Sequence, residues 1–127
     1  MSILDGFQTF NFNEGVPYAS VTNNGLTFNK AVVMKLDFPE FVLLLFDRAT
    51  VRMAIQVCEK DTPNAAEFYK PKKSNVISVR WNSKDLLNTI ENMTGWDLNK
   101  AGFRVEGALF KEEKIIMFDL NAAKIMK

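Results

Sequence analysis

Hydrophobic and polar residues alternate along much of the chain with the two-residue period of β-strands. Residues 51–57 place an apolar side chain at every second position, whereas residues 41–46 are apolar throughout. Residues 47–50 separate these two segments, which together predict a hairpin with one buried face. Further strands are predicted over residues 18–22, 26–28, 76–81, 103–110 and 115–120, with residues 121–127 as a short tail or helical turn.

Two segments show the apolar spacing of short helices instead. The first begins after Asn29, a favourable N-cap residue, and ends near Leu36. The second begins after Asn82 or Ser83 and carries apolar residues along one face until Gly95, which is placed to end it.

The order of these elements repeats along the chain. Strand, helix and hairpin occur within residues 16–58 and again within residues 76–120, joined by a connection over residues 59–75 that contains one helical turn near residues 65–68. Residues 1–15 are predicted to form an N-terminal arm. We therefore predict an α+β fold in which two βαββ units form a pseudo-symmetric sheet or barrel. The alternative is an α+β domain in which two capped helices occur without any internal duplication.

The first unit resembles the swapped-hairpin module of AbrB-type transition-state regulators and antitoxins. In residues 19–38, Phe28 matches an isoleucine of that module, Asn29 its proline and Lys30 its lysine, with the spacing kept. The chain departs from the pattern at Asn29, and also at Val33, where the family commonly has an arginine. Further matches fall at Val32 and Leu36 on the helix, at Asp37 for a glycine, and at Phe38 for the apolar residue after it.

The tandem order of elements is similar to that of MraZ-type proteins in the same superfamily. The resemblance covers residues 18–58 directly and residues 76–120 by element order. It implies an AbrB/MraZ-like fold and a transcription regulator that binds duplex DNA through a basic surface. Proteins can share a fold without sharing its function. The absence of the helix arginine therefore removes an expected DNA contact but does not argue against the predicted architecture.

Composition places the chain among ordinary globular domains. It has 127 residues, 47% hydrophobic and 24% charged, which predicts a single domain over residues 1–127. The longest apolar run is far shorter than the ~20 residues that span a bilayer, and no signal-peptide pattern opens the sequence. The single cysteine, Cys58, has no partner within the chain for a disulfide. We therefore expect a soluble cytoplasmic protein with no membrane segment.

The residue types that are missing limit the possible chemistry. The chain contains no histidine, which excludes Ser-His-Asp and Cys-His nucleophile systems and any imidazole metal ligand. Its six glycines are scattered and form no phosphate-cradling loop. We therefore predict that the protein is not an enzyme and has no metal site and no cofactor.

Charge points to one candidate site. The net charge is only +1, but residues 69–84 contain five cationic residues and no acidic one. Exposed cations of this kind bind phosphates, and aromatic neighbours can stack on bases. The alternative is a solvated connection whose lysines contact only water. The predicted nucleic-acid-binding residues are Lys70, Lys72, Lys73, Arg80 and Lys84, with Tyr69 and Trp81 available for stacking.

Two weaker hypotheses remain. Lys30, Arg48 and Arg52 form a secondary nucleic-acid candidate, which neighbouring carboxylates oppose. The alternative to DNA binding is an interaction module that meets a protein or a small ligand through an aromatic-rich face. A homodimer formed through strand edges is also expected. The aromatic residues considered for the interaction face are Phe7, Phe10, Phe12, Tyr69 and Trp96.

Overall fold

The computed structural model describes residues 3, 5–8, 15–71 and 77–126. Within these residues the chain forms nine strands, two α-helices and a short 3₁₀ helix. The strands are β1 (Tyr18–Thr22), β2 (Gly25–Phe28), β3 (Phe41–Asp47), β4 (Arg52–Val57), β5 (Ala66–Glu67), β6 (Val79–Trp81), β7 (Gly102–Phe110), β8 (Ile115–Asp119) and β9 (Lys124–Met126). The helices are α1 (Lys30–Lys35), α2 (Lys84–Thr94) and the 3₁₀ helix Leu120–Ala122.

All strand pairs are antiparallel, in the order β5-β3-β4-β8-β7-β1-β2-β6, and β9 pairs with β7. The strands form two connected sheets. The first sheet contains β6, β2, β1, β9 and the first part of β7, and the second contains β5, β3, β4, β8 and the last part of β7. The coarse prediction of an α+β fold is confirmed, with antiparallel sheet as its main component. Neither α-helix in the described part of the chain is long and apolar enough to span a membrane.

Strand β7 belongs to both sheets, and Gly107 marks the change of partner. Its backbone N–H donates to the carbonyl of Pro17 at 2.8 Å, where the pairing with β1 ends. From Gly107 onward the strand pairs with β8. A Cβ atom at Gly107 would lie 2.5 Å from a methyl carbon of Ile116 and 2.8 Å from the Phe118 ring. Glycine therefore allows β7 to cross closely over the β8 side chains.

One hydrophobic cluster joins both sheets and both helices. Phe28, fully buried on β2, contacts the rings of Phe68, Trp81 and Phe118 with centroid separations of 5.5, 5.3 and 5.8 Å. These tilted and edge-to-face contacts are the favourable arrangements for aromatic rings. The inner faces of the two sheets are therefore held together by an aromatic centre.

The helix starts follow capping chemistry. The Asn29 side chain accepts a hydrogen bond from the Val32 backbone N–H, as predicted. The N-cap of α2 is Ser83, whose side chain accepts a hydrogen bond from the Leu86 backbone N–H. Asn82, the other predicted candidate, precedes the cap and does not start the helix. Gly95 adopts a left-handed conformation at the end of α2, as predicted.

Two short strands were not predicted. Residues 65–68 were assigned to the connection, with one helical turn as a possibility, but Ala66 and Glu67 form the short strand β5 by pairing with the outer edge of β3. Residues 121–127 were predicted to be a short tail or a helical turn; the 3₁₀ helix Leu120–Ala122 agrees with a turn at the start, but Lys124–Met126 then form β9, which pairs with β7. Both short strands are stabilised by an available edge in a distant strand, which a local pattern does not reveal.

Candidate functional site

The outer face of the first sheet carries a line of polar and cationic side chains. Strand pairing places Arg80 opposite Thr27, Thr27 opposite Ser20, Ser20 opposite Arg104, and Arg104 opposite Lys124. Directly opposed residues on neighbouring strands point to the same face of a sheet. We call this line of five residues the cationic row. It crosses the first sheet from β6 to β9.

The three cations of this row are accessible and hold a defined arrangement. Arg80, Arg104 and Lys124 are all exposed, and none forms an ion pair with a carboxylate within the described residues. The Arg80 Nε donates to the Thr27 hydroxyl at 3.1 Å. The Arg104 guanidinium lies 4.6 Å from the centre of the Tyr18 ring. Both arginine side chains are thus oriented by uncharged neighbours. The same face also carries the exposed Glu106, which lies opposite Tyr18 and two residues from Arg104 on β7.

The predicted nucleic-acid residues are only partly gathered on this surface. Arg80 belongs to the cationic row, and Lys70 lines the same cavity as Arg80, of about 230 Å³. The Lys70 ammonium, however, forms an ion pair with the Glu67 carboxylate at 2.8 Å. Lys84 starts α2 and lines a different cavity, beside Asn23 and Glu91. Two further predicted residues, Lys72 and Lys73, lie outside the described residues.

The aromatic residues expected to stack on bases are occupied within the protein. Trp81 contacts Phe28 and Phe68 edge-on, and its indole N–H donates to the Glu67 carbonyl at 3.0 Å. Tyr69 packs against Phe38 in a T-shaped contact. Both rings are half-buried, so stacking of Tyr69 and Trp81 on bases stays a prediction. Tyr18, beside Arg104, is the aromatic residue of the cationic surface.

The secondary candidate lies elsewhere. Lys30 is exposed at the first residue of α1, while Arg48 and Arg52 flank the turn between β3 and β4. Arg52 contacts the Asp47 carboxylate at 3.4 Å and donates to the Thr50 hydroxyl at 2.8 Å. Hydrogen bonds from Thr50 and Arg52, together with the charge of Arg52, hold the pKa of Asp47 below its usual value. A charged carboxylate therefore remains beside Arg52 at neutral pH and opposes phosphate binding.

The structure describes three of the five aromatic residues proposed for an interaction face. Trp96 stacks on Phe103 with centroids 4.1 Å apart, so its ring faces another part of the chain. Phe7 is 77% exposed, and Phe10 and Phe12 lie outside the described residues. The ring contacts of Trp96 and Tyr69 are thus with Phe103 and Phe38, outside the proposed set.

Sequence reasoning missed Arg104 and Lys124. Each is polar in an alternating strand pattern, which signals only an outward-facing residue. Their approach to Arg80 depends on the pairing of β7 with β1 and β9, which joins distant parts of the chain. It also missed that the outer face of the second sheet is apolar, although the unbroken run over residues 41–46 carried that signal.

The described residues contain no group of three or more Asp, Glu or Cys side chains that could hold a metal ion. The charged groups available for chemistry are instead spread across a sheet surface, which suits the binding of an extended anion. No family model, curated protein or solved structure matches this chain.

Proposed function

We propose that this protein is a small non-enzymatic regulator that binds duplex DNA through the cationic row. The observation that carries the proposal is the alignment of Arg80, Arg104 and Lys124 on one exposed sheet face. Arginine and lysine side chains bind phosphate oxygens and release the counterions that surround nucleic acid. The hydroxyls of Ser20 and Thr27, which lie between the cations, add neutral donors of the kind that contact phosphates.

The spacing of the row supports contacts to more than one phosphate. Neighbouring strands are ~4.8 Å apart, so Arg80 and Arg104, which are three strands apart, are separated by roughly 14 Å. Lys124 lies one further strand away. A span of this size reaches several phosphates along a nucleic-acid backbone, with no requirement for base contacts. Affinity without strong sequence preference is the expected behaviour.

Salt dependence tests the proposal. Three phosphate contacts predict a slope of about −2.7 for log affinity against log salt, hence a loss of about 40-fold between 50 and 200 mM salt. The measurement is fluorescence anisotropy of a labelled random-sequence duplex titrated with the full chain. Absence of binding at 50 mM salt would overturn the proposal.

Matched charge-removing variants locate the contact. Arg104→Gln and Lys124→Gln are each expected to reduce the salt slope by about 0.9 and to weaken binding at low salt. Lys84→Gln removes the same charge from α2, away from the row, and is expected to leave the slope nearly unchanged. If Lys84→Gln alters the slope as much as Arg104→Gln does, the contact surface is not the cationic row.

We propose in addition that the architecture is a tandem AbrB/MraZ-like arrangement of two βαββ units. Equivalent strands are neighbours, since β2 pairs with β6 and β4 with β8. Phe28 and Trp81, the residues directly before Asn29 and Asn82, pair with Val79 and Leu26. This pairing is therefore symmetric about the opposed residues Thr27 and Arg80. An experimental structure tests the proposal: units 16–58 and 76–120 should superpose after a rotation near 180°, and failure to do so contradicts it.

A further inference from the structure

The outer face of the second sheet consists of two rows of side chains that are almost entirely apolar. Strand register places Leu45, Ala54, Met117 and Ala108 side by side in the first row. The second row contains Leu43, Gln56, Ile115 and Phe110 in the same strand order. We call these eight residues the apolar face. Gln56 is its one polar member.

The apolar face remains accessible to solvent in the described part of the protein. Leu45 is 41% exposed and Phe110 is 43% exposed, and none of the eight residues belongs to the hydrophobic cluster of the core. An antiparallel sheet with one face on the core normally presents polar residues on its other face. A contiguous apolar surface of this kind indicates contact with another polypeptide.

We infer that the apolar face binds the same face of a second copy of this chain, related by a two-fold axis parallel to the strands. Such a rotation reverses the order of each row when it lays one face over the other. In the first row, large and small side chains alternate across β3, β4, β8 and β7. The reversed row therefore places Leu45 over Ala108 of the second copy and Met117 over Ala54. In this first row each large side chain meets a small one, which favours close packing between the two sheets. In the second row the same rotation places Leu43 over Phe110 of the second copy and Gln56 over Ile115.

Charges beside the apolar face match the same rotation. Arg52 on β4 lies opposite Asp119 on β8, next to the first row and on the same outer side. Because β4 and β8 are the two central strands, the rotation lays Arg52 of one copy over Asp119 of the other. The contact occurs twice in a symmetric dimer. Within its own copy the Arg52 guanidinium contacts the Asp47 carboxylate at 3.4 Å and also extends over the sheet to the Met117 sulfur at 3.2 Å, which directs its charge towards the apolar face.

The size of the face sets the expected strength. Four strands at ~4.8 Å spacing give a width of about 19 Å, and the rows with their flanking residues extend about 20 Å along the strands. The projected area of roughly 400 Å² is below the ~800 Å² per partner that a standard stable interface buries. We therefore expect a reversible dimer with a dissociation constant of about micromolar order.

Analytical ultracentrifugation of the full chain tests the inference. The sedimentation coefficient should rise from monomer to dimer between about 1 and 500 µM protein. Leu45→Glu buries a charge in the contact and should weaken association at least about tenfold. The control Ile125→Glu changes a 64% exposed residue on β9, outside the apolar face, and should leave association unchanged. Circular dichroism and the melting temperature confirm that both variants are folded.

A size exchange tests the two-fold geometry itself. Ala54→Met and Met117→Ala should each weaken the dimer by about tenfold, because one creates a clash and the other a gap. The double variant restores a large residue opposite a small one and should recover most of the lost affinity. A monomer at every concentration overturns the inference. A dimer that Leu45→Glu leaves intact, or additive losses in the double variant, also overturns it.

Failure here leaves the proposed DNA-binding function untouched, since the two surfaces share no residue. DNA binding and dimerisation are measured by independent methods, anisotropy in salt titration and sedimentation without DNA. A variant defective in one assay and normal in the other, such as Arg104→Gln or Leu45→Glu, separates the two properties.

Discussion

The two sheets share one core but present opposite chemistry on their outer faces. On the first sheet, strand pairing aligns cations and hydroxyls from Arg80 to Lys124. On the second sheet, the outer face is apolar at seven of the eight positions of the apolar face, with Gln56 as the exception and charged residues such as Arg52 and Asp119 at its edge. The inner faces of both sheets pack into the core and exclude water, and their buried residues are hydrophobic in both. The outer faces do not have to exclude water, and their difference is the basis of the two binding proposals made above.

The largest expected effect separates the inner from the outer surface of the second sheet. Phe118→Ala removes a fully buried ring that contacts Phe28, and we expect it to lower the free energy of unfolding by about 3–5 kcal/mol. Phe110→Ala truncates the same residue type on the apolar face, where it is 43% exposed, and should cost less than about 1.5 kcal/mol. Urea denaturation of dilute protein provides both values. Equal losses would mean that the apolar face is packed like a core.

A smaller effect is expected at the junction of the two sheets. Gly107→Ala places a methyl group against Ile116 and Phe118, both fully buried, and should destabilise the protein by about 1–3 kcal/mol. The neighbouring residue, Ala108, points outward, so Ala108→Ser is expected to change stability by at most about 0.5 kcal/mol. Thermal or urea unfolding compares the two. A tolerated Gly107→Ala would show that β7 has room to move away from β8.

Sequence patterns correctly predicted those elements that depend on interactions between residues close together in the sequence. The alternation over residues 51–57 identified β4, and the Asn29 side chain caps α1 because it reaches a backbone N–H only three residues ahead. The charge on Lys70 was also correctly identified, but its partner Glu67 lies three residues earlier, in a segment that was predicted to be a connection.

The cationic row and the apolar face could not be predicted in the same way. Arg104 and Arg80 lie in one row because β7, β1, β2 and β6 are neighbours in the sheet in that order. This order depends on which strand edges pair. Likewise, the alternation of large and small residues in the first apolar row runs across four strands, not along any one of them. Pairing between distant segments decides both surfaces, and no single window of sequence contains it.

The smallest expected effect concerns the carboxylate at the edge of the apolar face. The Thr50 hydroxyl and backbone N–H, and then Arg52, lower the pKa of Asp47 from its ordinary value of 3.8. A carboxyl group with a lower pKa in the folded state stabilises the protein above pH 3.8, and this contribution is lost as the pH falls through the folded-state pKa. We expect a carboxyl NMR titration to place Asp47 below 3.8, and Thr50→Val to raise its pKa towards that value. Asp47→Asn should remove this part of the acid dependence of stability. A Thr50→Val variant with an unchanged Asp47 titration would show that the turn does not hold the carboxylate, and that Arg52 is less constrained at the edge of the apolar face than its contacts indicate.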